Sequence, residues 1–193
     1  MKVLITLFLS LISFSSSKNT NSNLGMYYYL IPETDTGCVD DFPSGLSYFF
    51  EQVGGYDEYA TVSQLENELD IDLSLFQNIY IDDKSIFEEM EKYGEIRDAE
   101  EEFKKHAEKT KIRTESMFDL LLIFKNKLEK NRDFANKIKF NSNKELSESI
   151  RTLYPPEIEY YKNGKFLKDL DALISIINCY KKNGVRYLRL GYA

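Results

Sequence analysis

Apolar positions along the chain fall into several short runs and one long helical stripe. Residues 26–31 (Met-Tyr-Tyr-Tyr-Leu-Ile) are aromatic and apolar up to Pro32, which predicts a strand. Residues 33–43 read as a loop with Gly37 and Pro43, and 45–53 as a short helix stopped by Gly54-Gly55. Ser63-Gln64-Leu65-Glu66 has the form of a capping box, in which the hydroxyl takes the N3 amide and the glutamate reaches back to the cap. It predicts a helix over 64–76. A short strand over 78–81 follows. Asp82-Asp83 and Ser85…Glu88 then offer a helix start for 84–110, with Gly94 as a candidate interruption.

The strongest helix is predicted over 115–131. Met117, Leu120, Leu121, Phe124 and Leu128 recur at helical spacing, and Phe118, Leu122 and Ile123 widen the stripe. A helix apolar around most of its circumference belongs in the centre of a core. Beyond it, 144–153 predicts a short helix closed by Pro155-Pro156. Residues 157–161 (Glu-Ile-Glu-Tyr-Tyr) run into Lys162-Asn163-Gly164-Lys165, where Asn-Gly between apolar residues predicts a hairpin turn. Asp169 is placed as the cap of a helix ending at Asn183-Gly184, and 185–190 as the last strand. Local hairpins mixed with packed helices predict an α+β fold: a small, mostly antiparallel sheet packed with several helices, with 115–131 as the central apolar helix.

The amino terminus changes the picture of where the chain acts. One lysine, an apolar run over 3–14 and Ser15-Ser16-Ser17 form the pattern of a secretory signal peptide over 1–17. The run is shorter than the roughly 20 residues needed to span a bilayer. Residues 18–23 are a polar spacer, which leaves 24–193 as one globular domain. The expected location is periplasmic or extracellular, with no membrane insertion once the signal is removed. In such a compartment Cys38 and Cys179 are a disulfide candidate. Helical phasing supports the pairing, because Cys179 falls opposite the face of Leu170, Leu173, Ile174 and Ile177, where a free buried thiol would sit. Two unpaired thiols are the alternative.

Charge is the most informative feature. The chain carries a formal charge of −7, divided unevenly: residues 33–102 hold 21 Asp and Glu against three Lys and Arg. Residues 103–193 hold 20 Lys and Arg against 11 Asp and Glu. Either the two halves neutralise each other where they meet, or an acidic surface is left. In the second case Asp57, Glu58, Glu66, Glu68, Asp70, Asp72, Asp82 and Asp83 are the candidate patch for a basic protein partner, which it would attract in a salt-sensitive manner. Such a surface repels nucleic acid, and the dispersed lysines and arginines of the second half give no nucleic-acid signature. Glu100–Lys104 and Glu101–Lys105 are helix-supporting pairs at i,i+4.

Signals for chemistry are weak by comparison. The single histidine, His106, phases away from Ile96 and Phe103 and reads as solvated. One histidine and two distant cysteines make no zinc pattern, and no phosphate loop or nucleophile elbow is present. Asp70-Ile71-Asp72 and Asp82-Asp83 lack the spacing of a calcium loop. No catalytic residue, cofactor or metal ligand is therefore assigned. Among 14 tyrosines, Tyr27, Tyr29, Tyr160 and Tyr161 are candidates for an aromatic interface, since alternation along a strand or hairpin turns some of them outward. The expectation is an exported, non-catalytic binding protein of immunity or inhibitor type, with its acidic surface over a basic partner. The competing reading is a small secreted hydrolase using Asp and Glu, with or without calcium.

Overall fold

The computed structural model describes residues 27–39, 41–51, 61–138 and 157–192. The signal-like segment 1–17, the spacer 18–23 and the predicted helix over 144–153 lie outside the described residues, as do Asp57 and Glu58. The chain forms an α+β fold, with a four-stranded mixed sheet and eight α-helices among the described residues.

The sheet is organised by the last strand. β4 (Tyr187–Tyr192) lies in the centre, with β1 (Tyr28–Pro32) antiparallel on one side, where Leu30 faces Leu190 and Pro32 faces Leu188. On its other side lie two 2-residue strands, β2 (Ile79–Tyr80) parallel and β3 (Ile112–Arg113) antiparallel. The parallel β2 makes the sheet mixed, with two of its three strand pairs antiparallel. Pro32 suits the edge strand. The Glu33 N–H already donates to the Tyr187 carbonyl, so alternation turns position 32 away from β4 and no ladder bond is lost.

Tyr28, Leu30, Ile112, Leu188 and Leu190 form the buried face of the sheet. Against them pack α5 (Thr114–Lys130) and α8 (Lys165–Lys182). On α5, Met117, Leu121, Phe124 and Leu128 are fully buried, while Ile123 is 49% exposed and Asp119 is outside. The helix therefore presents one wide stripe rather than an apolar circumference. Phe166, Leu170, Leu173, Ile177 and Tyr180 make the matching stripe on α8. α1 (Ser44–Glu51) adds Phe49, whose ring stacks on Phe124 at 5.7 Å and meets Phe166 edge-on at 5.1 Å.

Several local readings are corrected by the packing. α2 runs over Thr61–Leu69, so Ser63 lies inside it and caps nothing. Its Glu66 carboxylate reaches forward to the Leu73 N–H at 2.8 Å instead. The helix ends because Asp70 takes φ +50, and the Ile71 N–H bonds back to the Glu66 carbonyl, a left-handed C-terminal cap. A 3-10 turn over Ser74–Gln77 follows, replacing the far end of the predicted 64–76 helix. Residues 84–110 form two helices, α3 (Lys84–Lys92) and α4 (Ala99–Lys109), with Gly94 at φ +74 between them. The short α6 (Phe134–Lys137) follows α5.

The predicted hairpin over 157–165 is absent. Glu157–Lys162 is helix α7, and Asn163-Gly164 links it to α8 with Gly164 at φ +78. Asn-Gly supplies a left-handed residue in either setting; here Asn163 Oδ1 accepts from the Lys165 N–H and opens α8. Asp169 consequently lies within α8 rather than capping it. Its Oδ2 accepts from the Tyr160 hydroxyl at 2.8 Å, and Gly45 leaves the room for that pair, since a Cβ there would lie 2.4 Å from the carboxylate.

Candidate functional site

The structure distributes the candidate acidic residues among three places. Glu66, Asp70 and Asp72 line one open cleft of about 550 Å³ together with Asn67 and Ile71. This cleft forms where α2 stops, because the left-handed Asp70 turns the chain and brings Asp72 back beside Glu66. Hydrogen bonds from the Ser74 hydroxyl and N–H hold the exposed Asp72 carboxyl below its ordinary range. Lys127 of α5 donates to the carbonyls of Leu69 and Asp70 at 2.6 and 2.7 Å, a cation placed on the C-terminal end of α2.

Glu68 does not line this cleft and is bridged by Lys137 of α6 at 2.5 Å. Here the basic second half does neutralise the acidic first half. Asp82 and Asp83 sit at the head of α3, where the Asp83 carboxylate caps the helix through the Ser85 N–H at 2.9 Å. Hydrogen bonds from Ser85 hold the Asp83 carboxyl below its ordinary range. The remaining acid-rich surface is that of α3 and α4. It is laced by exposed pairs, Lys84–Glu100, Lys104–Glu100 and Lys105–Glu101 among them, which water screens.

Asp82 and Tyr29, candidates for two different roles, are partners of one another. The Tyr29 hydroxyl donates to Asp82 Oδ2 at 2.5 Å. Tyr29 stands on β1 opposite Gly191 of β4, and Tyr80 of β2 lies on the far side of Gly191. The ring therefore crosses the sheet in a trough that only a glycine leaves open: a Cβ at position 191 would lie 2.7 Å from the Tyr29 Cζ. Burial, and then the bond to Asp82, push the Tyr29 phenol well above its ordinary range. The contact closes β1 over β4 onto the chain leaving β2.

The other aromatic candidates divide by burial. Tyr27 is 49% exposed, whereas Tyr161 is 4% exposed and packs on Phe166 at 4.7 Å, so it presents no surface. Because α7 is a helix rather than a strand, its two tyrosines do not face opposite ways. They meet edge-on at 5.5 Å, with Tyr160 half-buried and bonded to Asp169.

Cys38 and Cys179 form a disulfide, tying the loop after β1 to the last turns of α8. His106 is half-buried rather than solvated. Its Nε2 accepts from the Ile81 N–H at 2.8 Å, and its ring stacks on Tyr80 at 5.6 Å. Sequence phasing within α4 misses this, because Tyr80, Phe87 and Arg189 come from three other elements. Among the described residues no three His, Cys, Asp or Glu side chains converge to hold a metal ion, and no helix is long and apolar enough to cross a membrane. No known protein family, curated protein or solved structure matches the chain.

Proposed function

We propose that this is an exported, non-catalytic binding protein whose acidic surface receives a basic protein partner, in the manner of an immunity or inhibitor protein. The observation that carries the reading is the convergence of Glu66, Asp70 and Asp72 on one open cleft. Three carboxylates on one open cleft make a local negative potential, which raises the encounter rate with a cationic surface and makes binding sensitive to salt. The Cys38–Cys179 bond supports the export part of the reading, since such bonds persist in oxidising compartments. The signal-like pattern over 1–17 supports it as well.

The test is affinity capture with the full, disulfide-bonded chain from the cells that make it, in parallel with the triple variant Glu66→Gln, Asp70→Asn, Asp72→Asn. Each replacement removes charge and keeps a carbonyl acceptor, so the Leu73 and Ser74 N–H bonds survive. The expected result is one basic protein in equimolar amount, released by about 0.5 M salt, where the screening length falls to a few ångströms, and not held by the variant. Retention by the triple variant at wild-type strength would overturn the proposal.

A further inference from the structure

We propose that His106 is a proton-operated latch: neutral, it holds β2 and the head of α3 against α4, and protonated, it lets them go. In the closed state Nε2 is an acceptor, because the Ile81 N–H points at it from 2.8 Å. The ring is therefore neutral and carries its proton on Nδ1. A second proton must go onto Nε2, where an N–H would then face an N–H. The bond that ties Ile81 to α4 is lost and replaced by repulsion.

Among the described residues no carboxylate acts on the ring to compensate the imidazolium; the charged groups that do act on it are cations. From its own helix the ring is met by Lys109, and from β4 by Arg189, which also stands over the Tyr80 ring at 5.0 Å. β2 supplies the stacked Tyr80 ring, and α3 supplies Phe87 at 5.4 Å. The carboxylates nearby in sequence are engaged elsewhere: Glu102 with Lys105, Asp82 with the Tyr29 hydroxyl. Burial first, and then the two cations, hold the His106 pKa below the ordinary histidine value.

The sign of the pH dependence follows from this. An opened state, with His106 in water, titrates near 6.5 and binds more protons than the closed state between that pH and the lowered midpoint. The latch is fully effective above about pH 6.5 and weakens as pH falls toward the midpoint of the closed form. The unit it releases is small. β2 pairs with β4 at Ile79–Leu190 and Tyr80–Gly191, α3 leans on α4 through Phe87–Phe103 and the exposed Lys84–Glu100 pair, and opening must also part Asp82 from the Tyr29 hydroxyl. Opening leaves the α5–α8 core intact. If the proposed function holds, the same movement displaces Asp82 and Asp83 and alters the acidic surface in mild acid.

The test uses the full oxidised chain without any partner, so its failure is separate from failure of the binding proposal. His106 is the only histidine, and its ring protons give one titration curve by NMR. Its midpoint is expected below 6.5, and the protection factor of the Ile81 amide is expected to fall by up to tenfold per pH unit below 6.5. At every pH Ile81 should exchange before Leu121 in the core. In His106→Gln, which keeps an acceptor and cannot titrate, the pH slope should vanish. A midpoint at or above 6.5, an Ile81 protection factor that ignores pH, or one equal to that of Leu121 would each overturn the latch. These three readouts come from the wild-type chain and decide the matter even if His106→Gln fails to fold.

Discussion

Breaking the Cys38–Cys179 bond is expected to cost the fold close to 5 kcal/mol. The bond spans 141 residues of sequence, and in the chain-entropy description a loop of that length restricts the unfolded chain by about that amount. Residual structure in the unfolded chain would reduce the figure toward 3 kcal/mol. Single domains hold only about 5–15 kcal/mol in all, so the reduced protein should be marginal. The measurement is urea unfolding of the oxidised chain beside the Cys38→Ser, Cys179→Ser double variant. The midpoint should drop sharply in the variant, and the slope should steepen because its unfolded state is more open. A change below about 1 kcal/mol would contradict this and show that the reduced unfolded chain already keeps the ends of that loop close.

Phe124→Ala is expected to cost about 3–5 kcal/mol. Phe124 is fully buried, stacked on Phe49 at an interplanar angle of 17° and edge-on to Phe166 at 5.9 Å. Those two rings come from α1 and α8, so removing the central ring leaves a cavity that neither helix can close alone. The same unfolding experiment checks it. A loss under about 1.5 kcal/mol would mean that the cluster collapses onto the vacancy. As a contrast, Ile123→Ala on the exposed side of the same helix should stay within about 0.5 kcal/mol.

That contrast also indicates which parts of the fold are legible along the chain. The α5 stripe is legible because a 17-residue helix repeats its period often enough to fix which side is buried. The end of α8 at Asn183-Gly184 is legible because Gly184 takes the left-handed φ of +79 that closes a helix. Residues 157–161 are misread because five residues of alternating charge and aromatic character satisfy a strand and a single helical turn equally. The choice is made by Tyr161 packing on Phe166, a tertiary contact. The sheet is obscure for a related reason. β4 pairs with segments from three distant parts of the chain, and two of those strands are only two residues long.

The site divides in the same way. The acidic excess of the first half is plain in composition, but its arrangement depends on one backbone angle. The φ of +50 at Asp70 brings Asp72 beside Glu66, whereas Glu68, in the same helix, is bridged by Lys137. The disulfide is legible because a polar-face cysteine on an otherwise well-phased helix has a reason to be there. The Tyr29–Asp82 contact is not, since it needs the trough at Gly191 between them.

The most direct measurement is a titration of the full oxidised chain with an octalysine peptide, followed through backbone amide shifts at low and moderate salt. Shifts should concentrate on Glu66, Asn67, Asp70, Ile71 and Asp72, fade as salt is added, and disappear in Glu66→Gln, Asp70→Asn, Asp72→Asn. Shifts centred instead on the exposed acids of α3 and α4, or unchanged in the triple variant, would contradict a cationic binding surface at this cleft.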